Sequence, residues 1–269
     1  VEQPYSVLVS GADDQPTLED VTDGSVGEIR LSTDLTSSNL TGTLVGADID
    51  SDTLTYGVSG GNADTSKSGF DTSIAGTYGT LYVNSSTGAY EYELTSDIEG
   101  WDDTETETEN FTFTLSDGDG AAVEQPYSVL VSGADDQPTL ADVTDGSISE
   151  DANADTISSS NLTGTLVGAD IDIEVLSYGV SGGSGDTSKS GFDTSVAGTY
   201  GTLYVNSSTG AYEYELTTDI EGWDDADSET ENFTFTLSDG DDAVVEQPYS
   251  VLVSGADDQP TLEDVTDGS

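Results

Sequence analysis

Short runs of alternating apolar and polar residues recur along the chain, separated by Gly, Asp, Asn and Ser. AYEYEL (89–94) and FTFTL (111–115) show this two-residue period, which places apolar side chains on one face of a strand. No stretch has the 3.6-residue period and the length of a helix. The pattern therefore predicts an all-β fold, an antiparallel β-sandwich of about seven strands per unit. The predicted strands of the first unit are 40–45, 54–58, 77–83, 89–94, 111–115 and 127–132, with weaker candidates in 17–31 and 69–74.

An internal repeat organises the pattern. VEQPYSVLVSGADDQPTL begins at Val1, again at Val123 and again at Val245, a spacing of 122 residues with no insertion or deletion. Residues 1–122 and 123–244 differ at 24 positions, and the most divergent stretch, 26–36, shares only Glu28 with its copy. Such self-similarity is the signature of tandem structural units.

Each copy contains one break point suited to a domain boundary. Pro16, Pro138 and Pro260 each follow an apolar strand and a Gly-Ala-Asp-Asp turn, and proline restricts the backbone on both of its sides. We therefore expect full domains at 16–137 and 138–259. Residues 1–15 are then the last strand of a preceding repeat, and residues 260–269 begin a following one.

Charge changes the picture by excluding whole classes of function. The 269 residues include 55 acids and 3 bases, a formal net charge of −52, with no His and no Cys. Nucleic-acid binding is excluded because phosphate contacts need Lys and Arg. Ser-His-Asp catalysis, cysteine nucleophiles, disulfides and His/Cys zinc sites are excluded by composition. No apolar run is long enough for direct membrane insertion, whereas hard cations that prefer carboxylates are compatible with the composition.

Four segments together resemble the VCBS repeat, in order and in spacing. They are TGTLVGADID (41–50), GTYGTLYVNSSTGAYEYEL (76–94), ENFTFTLSDGDG (109–120) and YSVLVSGADDQP (127–138). The resemblance implies tandem immunoglobulin-like or cadherin-like sandwiches of giant secreted adhesins. It implies an extracellular, non-enzymatic stalk or filament, with neighbouring repeats and other copies as partners and Ca²⁺ as cofactor. The sequence departs from the family at the junction, where Asp135 stands in place of a usual Asn.

Three acidic clusters recur in each unit, at ADIDSD (47–52), SDGDG (116–120) and the Asp-Asp pair before the proline. Calcium takes six to eight oxygen ligands, and Asp-x-Asp on a loop beside Gly offers carboxylates and carbonyls. Cadherin-like repeats resemble this arrangement, and there the ligands meet at domain junctions. Carried over, the ligands of the preceding junction are Asp13, Asp14, Asp48, Asp50 and Asp117, and those of the central junction are Glu28, Asp135, Asp136, Asp170, Asp172 and Asp239. The acidic stretch 101–110 is expected to be a solvated edge or loop.

Two further features allow other functions. Trp101 and Trp223 favour a plug in the sandwich over a sugar-stacking platform. Asn-x-Ser/Thr sequons are candidate glycosylation sites, at Asn39, Asn84, Asn110, Asn161, Asn206 and Asn232. The alternatives to a calcium-stiffened stalk are a glycan- or protein-binding adhesin module and a halophilic surface-layer or matrix protein, in which the charge serves hydration.

Overall fold

The computed structural model describes residues 2–30, 32–120, 122–172, 175–241 and 244–260. The chain divides into two compact units, Val1–Asp135 and Asp136–Ser269. The described residues contain strands, turns and irregular segments and no helix, so the predicted all-β fold is confirmed. No membrane-spanning helix occurs in the described part of the chain.

The described residues of the first unit form twelve strands. They are β1 (Thr17–Leu18), β2 (Gly24–Ile29), β3 (Ser32–Ser38), β4 (Thr41–Thr43), β5 (Gly46–Ala47), β6 (Thr55–Val58), β7 (Asn62–Ala63), β8 (Thr72–Ala75), β9 (Gly79–Val83), β10 (Ala89–Leu94), β11 (Thr106–Ser116) and β12 (Val123–Ser132).

Two five-stranded sheets pack into a sandwich in this unit. One has the order β4-β10-β9-β8-β7 and the other β3-β2-β12-β11-β6, and β1 pairs with β5. Neighbours are antiparallel except β12 and β2, which run parallel with Val129 opposite Gly24. The long β11–β12 hairpin, paired from Thr106↔Ser132 to Leu115↔Val123, extends from one end of the sandwich to the other.

The core lies between the two sheets. Alternate residues of β11 and β12 point into it, and Phe113, Tyr127 and Val129 are completely buried. Leu81 and Val83 of β9 face them from the other sheet. The sandwich therefore buries the alternating apolar positions that predict it.

The second unit repeats this architecture with a core of equivalent residues. Its strands are β13 (Thr139–Leu140), β14 (Gly146–Asp151), β15 (Ala154–Ser160), β16 (Thr163–Thr165), β17 (Gly168–Ala169), β18 (Ser177–Val180), β19 (Ser184–Gly185), β20 (Thr194–Ala197), β21 (Gly201–Val205), β22 (Ala211–Leu216), β23 (Ser228–Ser238) and β24 (Val245–Ser254).

The opening segment behaves differently from its copies. Residues 2–10 form no strand, and Tyr5, Leu8 and Val9 are about nine-tenths exposed. The same ten-residue sequence forms β12 and β24, in which the counterparts of Tyr5, Val7 and Val9 are buried. Its placement in a preceding repeat stays a prediction, and most of the predicted start of a following repeat, 261–269, lies outside the described residues.

Candidate metal-binding ends of the repeats

Asp48 organises the loop that follows β5. Its Oδ1 accepts hydrogen bonds from the N–H groups of Asp50 (2.8 Å) and Asp52 (3.3 Å). Ser51, between them, has a φ of 66°, so the backbone turns sharply here. Because the loop closes around one carboxylate, oxygens of Asp48, Asp50 and Asp52 come within 4.8 Å of one another.

Two other segments of the first unit reach the same loop. The N–H of Asp14 donates to Oδ2 of Asp50 at 2.7 Å. After β11, Oδ1 of Asp117 accepts the N–H of Asp119 at 3.0 Å in a turn that contains Gly118, with φ 101°. We call the resulting group the loop cluster; Asp52 belongs to both of its three-carboxylate groups, which are Asp48, Asp50 and Asp52, and Asp13, Asp52 and Asp119.

Mutual repulsion is built into the loop cluster. Partial desolvation, followed by the charges of Asp117 and Asp119, raises the pKa of Asp13. Desolvation and the neighbouring Asp48 raise the pKa of Asp52 in the same way. Like charges at this distance disfavour the ionised form unless a cation balances them.

The second unit repeats the backbone scaffold of the loop cluster. Asp136 donates its N–H to Oδ2 of Asp172 at 2.6 Å, and Asp172 donates its own to Oδ1 of Asp170 at 2.9 Å. Asp241 likewise donates to Oδ1 of Asp239 at 3.0 Å. Glu174, the counterpart of Asp52, lies outside the described residues.

A second group of acids lies at the β2–β3 hairpin. The pairing of β2 with β3 shifts register between Glu28 and Ile29, a bulge that redirects the side chain of Glu28. Glu28 is 5% exposed, and its Oε2 accepts the N–H of Ala134 at 3.3 Å. An oxygen of Glu99 lies within 4.8 Å of it. We call this group, with its copy in the second unit, the hairpin cluster.

In the second unit, the hairpin cluster consists of three carboxylates of that same unit. Oxygens of Glu150, Glu221 and Asp258 lie within 4.8 Å of one another. Glu150 is 3% exposed, and its Oε2 accepts the N–H of Ala256 at 3.1 Å. Desolvation and then the charge of Glu150 raise the pKa of Glu221. This end of the repeat therefore concentrates negative charge around a buried carboxylate.

The two clusters of one repeat lie at opposite ends of its sandwich. Asp117 follows the last residue of β11, whereas Ala134, which bonds Glu28, follows β12 next to the first residue of β11. An eleven-residue strand at about 3.4 Å per residue separates them by roughly 30 Å. Each repeat thus carries one acidic group at each end.

The sequence prediction of ligands and the geometry agree only in part. The loop cluster brings Asp13, Asp48 and Asp50 together, while Asp14 contributes its backbone N–H. Asp52 and Asp119 lie in the acidic motifs that the sequence identifies but are not among its predicted ligands. Glu99 and Glu221 are not predicted from the sequence, since only the fold brings the Glu-Gly-Trp turn to the hairpin and no local pattern indicates it.

The chemistry of both clusters fits a hard cation. All side-chain donors are carboxylate oxygens, which Ca²⁺ prefers. Several of these oxygens are buried with no hydrogen-bond partner among the described residues, namely Asp48 Oδ2, Asp117 Oδ2, Glu150 Oε1 and Asp170 Oδ2. A buried carboxylate oxygen without a partner is costly. The lysines are engaged elsewhere: Lys67 pairs with Glu91 and Glu93 on β10, and Lys189 pairs with the equivalent residues of β22.

The other candidate residues mostly serve structural roles. Trp101 packs edge-on against Tyr78, with ring centroids 5.1 Å apart, and contacts the core, which confirms the predicted plug. Among the sequons, the amide nitrogens of Asn39 and Asn84 donate to the carbonyls of Asp23 and Gly69. Glycosylation stays a prediction at all six positions.

Glu109 contradicts the expectation of a solvated 101–110 stretch. It is 7% exposed, and Oε1 accepts the N–H groups of Thr77 and Tyr78 while Oε2 accepts the N–H of Gly79 and the hydroxyl of Tyr92. Residues 106–110 therefore belong to β11 with one inward carboxylate, while residues 101–105 form an irregular turn and most of the stretch is exposed.

Neither a protein-family model nor a curated protein matches the chain. The solved structures that match include extracellular cadherin domains at low identity. Protocadherin gamma B2 domains 3–6 match at 16% identity and TM-score 0.37, over 92% of this chain and 54% of that one. Mouse cadherin-23 EC22–24 matches at 17% and 0.36, over 90% and 67%. Drosophila N-cadherin EC1–3 matches at 12% and 0.29, over 90% and 68%. The chain thus spans about half the length of the protocadherin chain.

Proposed function

We propose that this chain is a segment of a non-enzymatic extracellular stalk or filament, built from VCBS-like β-sandwich repeats whose ends bind Ca²⁺. In this proposal the repeats are 16–137 and 138–259, and residues 1–15 and 260–269 belong to flanking repeats. The partners are neighbouring repeats and other copies of the chain. The role of the cation is mechanical: it neutralises and orders the acidic loops so that a repeat resists bending at its ends.

The observation that carries the proposal is the set of buried carboxylate oxygens without hydrogen-bond partners in the described residues. They occur in the loop clusters of both units and beside the hairpin of the second. Diffuse surface charge for hydration does not require buried oxygens, because an exposed carboxylate is solvated by water. A cation that bridges Asp48 and Asp117 would supply the missing partner for both. The sharing of one site by successive repeats, through Asp135 and Asp136, stays a prediction from the sequence.

Thermal melts of the full chain test the proposal. Calcium at about 1 mM should raise the melting temperature by roughly 5–15 °C over chelator, because a ligand at about 100 times its Kd stabilises the folded state by about 2.7 kcal/mol. Sodium chloride at matched ionic strength should give a much smaller shift. Equal stabilisation by the two salts would contradict specific sites and favour the halophilic alternative.

Paired variants locate the effect. Asp48→Asn keeps the shape of the loop and removes one charge from the loop cluster, so it should weaken calcium binding by about tenfold or more, since ligand charge tunes calcium affinity. Asp103→Asn removes the same charge from an exposed turn and serves as the control. If both variants bind calcium as the wild type does, the loop cluster is not the site.

A further inference from the structure

The two hairpin clusters differ in one cation. Arg30, the only arginine in the chain, lies in the β2–β3 turn of the first unit. Its Nη2 lies 4.0 Å from Oδ2 of Asp135, and its side chain is 44% exposed. A guanidinium keeps its positive charge at every working pH. We call the segment that follows the last strand of a unit, which contains Ala134 and Asp135 in the first, the linker. The first hairpin cluster thus carries a permanent counter-charge beside the linker, whose Ala134 bonds Glu28.

The second unit has no cation at the equivalent position. Ala152 takes the place of Arg30, and the hairpin gains Asp151 and Asp155 while Thr156 replaces Asp34, a net gain of one acid. The contact with the linker is made instead by Asn153: its backbone N–H donates to Oδ1 of Asp258 at 2.5 Å, and its neutral side-chain Oδ1 accepts the N–H of Gln259 at 2.8 Å. Among the described residues, the hairpin therefore contacts the linker in both units, but a cationic side chain takes part only in the first.

We infer that Arg30 lowers the calcium affinity of the first hairpin cluster relative to the second, so that the hairpin clusters of neighbouring repeats fill at different calcium concentrations. This rests on the proposed function, because it assumes that these ends bind Ca²⁺. Physically, the guanidinium repels the incoming cation. At the dielectric constant of water, a unit charge about 5 Å from a divalent ion corresponds to a change in Kd of roughly fifteenfold before salt screening, and a lower effective dielectric constant makes the change larger.

Sequence divergence supports this inference. The hairpin is the least similar stretch of two repeats that are otherwise nearly identical, and the Glu that faces the linker is the one residue kept. The change is thus confined to the groups that surround the carboxylate. A merely structural turn could vary in size or polarity, whereas here the variation alters the local charge by the loss of one base and a net gain of one acid.

Calcium titrations of the full chain can report on each end separately. Trp101 and Trp223 each lie two residues after the hairpin-cluster acid Glu99 or Glu221, and the carbonyl of Trp101 accepts the N–H of Ala134. Tryptophan fluorescence in a Trp223→Phe background therefore follows the first end, and in a Trp101→Phe background the second. The first end should bind calcium at least about threefold more weakly at low salt, and the difference should shrink in about 0.5 M salt, where the Debye length is only a few ångströms.

Charge variants then decide the cause. Arg30→Ala should tighten the first end to the affinity of the second, Ala152→Arg should weaken the second end to that of the first, and Arg30→Lys should change little. Lys67→Ala, which removes the same charge on the face of β10, is the control and should leave the ratio unchanged.

The outcomes separate the two proposals. Saturable calcium binding that is the same in the wild type, Arg30→Ala and Ala152→Arg overturns the inference and leaves the proposed function standing. No binding at either end up to about 10 mM, above the range of extracellular calcium modules, overturns both. Melts in chelator establish that each variant is folded before it is titrated.

Discussion

The hydroxyl of Tyr92 lies 2.5 Å from Oε2 of Glu109 inside the first sandwich, and Tyr214 and Glu231 repeat this contact in the second. Both oxygens of Glu109 face donors only: two backbone N–H groups on Oε1, and one backbone N–H and the tyrosine hydroxyl on Oε2. Burial and the adjacent carboxylate raise the pKa of Tyr92, so it keeps the proton that it donates. The carboxylate of Glu109 on β11 thus connects one sheet to two strands of the other, to Gly79 at the start of β9 and to Tyr92 within β10.

Glu109→Gln should destabilise the first repeat by about 2–4 kcal/mol. The amide NH₂ would replace one oxygen and face two donors, which leaves buried groups without acceptors. Denaturant unfolding should show the first repeat unfolding at a lower denaturant concentration, while the midpoint of the second repeat is unchanged. Glu107→Gln, on the same strand but exposed, is the control and should change stability by less than about 0.5 kcal/mol. Equal effects of the two variants would mean that the buried anion is not a clamp.

Gly76→Ala tests the same clamp from the other side. A Cβ at Gly76 would collide with the carboxylate of Glu109, so the substitution should cost about 1–3 kcal/mol through overpacking and displaced hydrogen bonds. Gly185→Ala is the matched control, because a Cβ there meets nothing within 4 Å and the first repeat already has Ala63 at that position. Thermal melts should show a loss for Gly76→Ala only. A loss of the same size in both variants would contradict the clamp.

How much the sequence predicts is clearest in the segment that it repeats. Residues 2–10 form no strand, although the same residues form β12 and β24 in the center of a sheet. Alternation therefore specifies which face can be buried, and a neighbouring sheet decides whether a strand forms. Glu109 is hidden from pattern reasoning for a related reason. It stands among Thr and Glu in a run that is polar at every position, and its donors come from distant segments of the chain, namely residues 77–79 and Tyr92.

The candidate ligands likewise divide into those that a local motif identifies and those that only the folded sheets bring together. Asp-x-Asp motifs close on themselves through local hydrogen bonds, so Asp48 and Asp50 can be found from the sequence. Glu99 approaches Glu28 only after both sheets have formed, across 71 residues of chain. Local motifs therefore identify the loop cluster better than the hairpin cluster.

Tyr127→Phe should destabilise the first repeat by about 1–2 kcal/mol. The hydroxyl of this completely buried residue donates to the carbonyl of Asn39 at 2.8 Å and fixes the turn between β3 and β4. Loss of the hydroxyl leaves the carbonyl of Asn39 without this donor, while the packing of the ring is unchanged. Tyr82→Phe, on a side chain that is partly exposed, is the control and should be nearly neutral in urea denaturation. No difference between the two would assign the stability of this turn to packing alone.

The pH dependence of stability should reverse sign when calcium is removed. Asp13, Asp52 and Glu221 have pKa values raised in the folded state by desolvation and by neighbouring carboxylates. A raised pKa means that the folded state binds protons more tightly than the unfolded state, so this contribution to stability is lost as the pH rises through the folded pKa. In calcium-free buffer the melting temperature should therefore increase from neutral pH to about pH 5.

Below about pH 4 the trend should turn over. Hydrogen bonds from Ser85 lower the pKa of Asp71, so its contribution is present above the ordinary value of 3.8 and is lost as the pH falls through the lowered one. With saturating calcium, protons compete with the ion, and the melting temperature should instead fall on acidification. Thermal melts between neutral pH and about pH 3, with and without calcium, measure both the rise and the fall of the melting temperature. They are made on the wild type and on an Asp13→Asn, Glu221→Gln double variant. The double variant should lose much of the calcium-free increase; a wild type whose melting temperature does not rise between neutral pH and about pH 5 would contradict the repulsion that the two clusters impose.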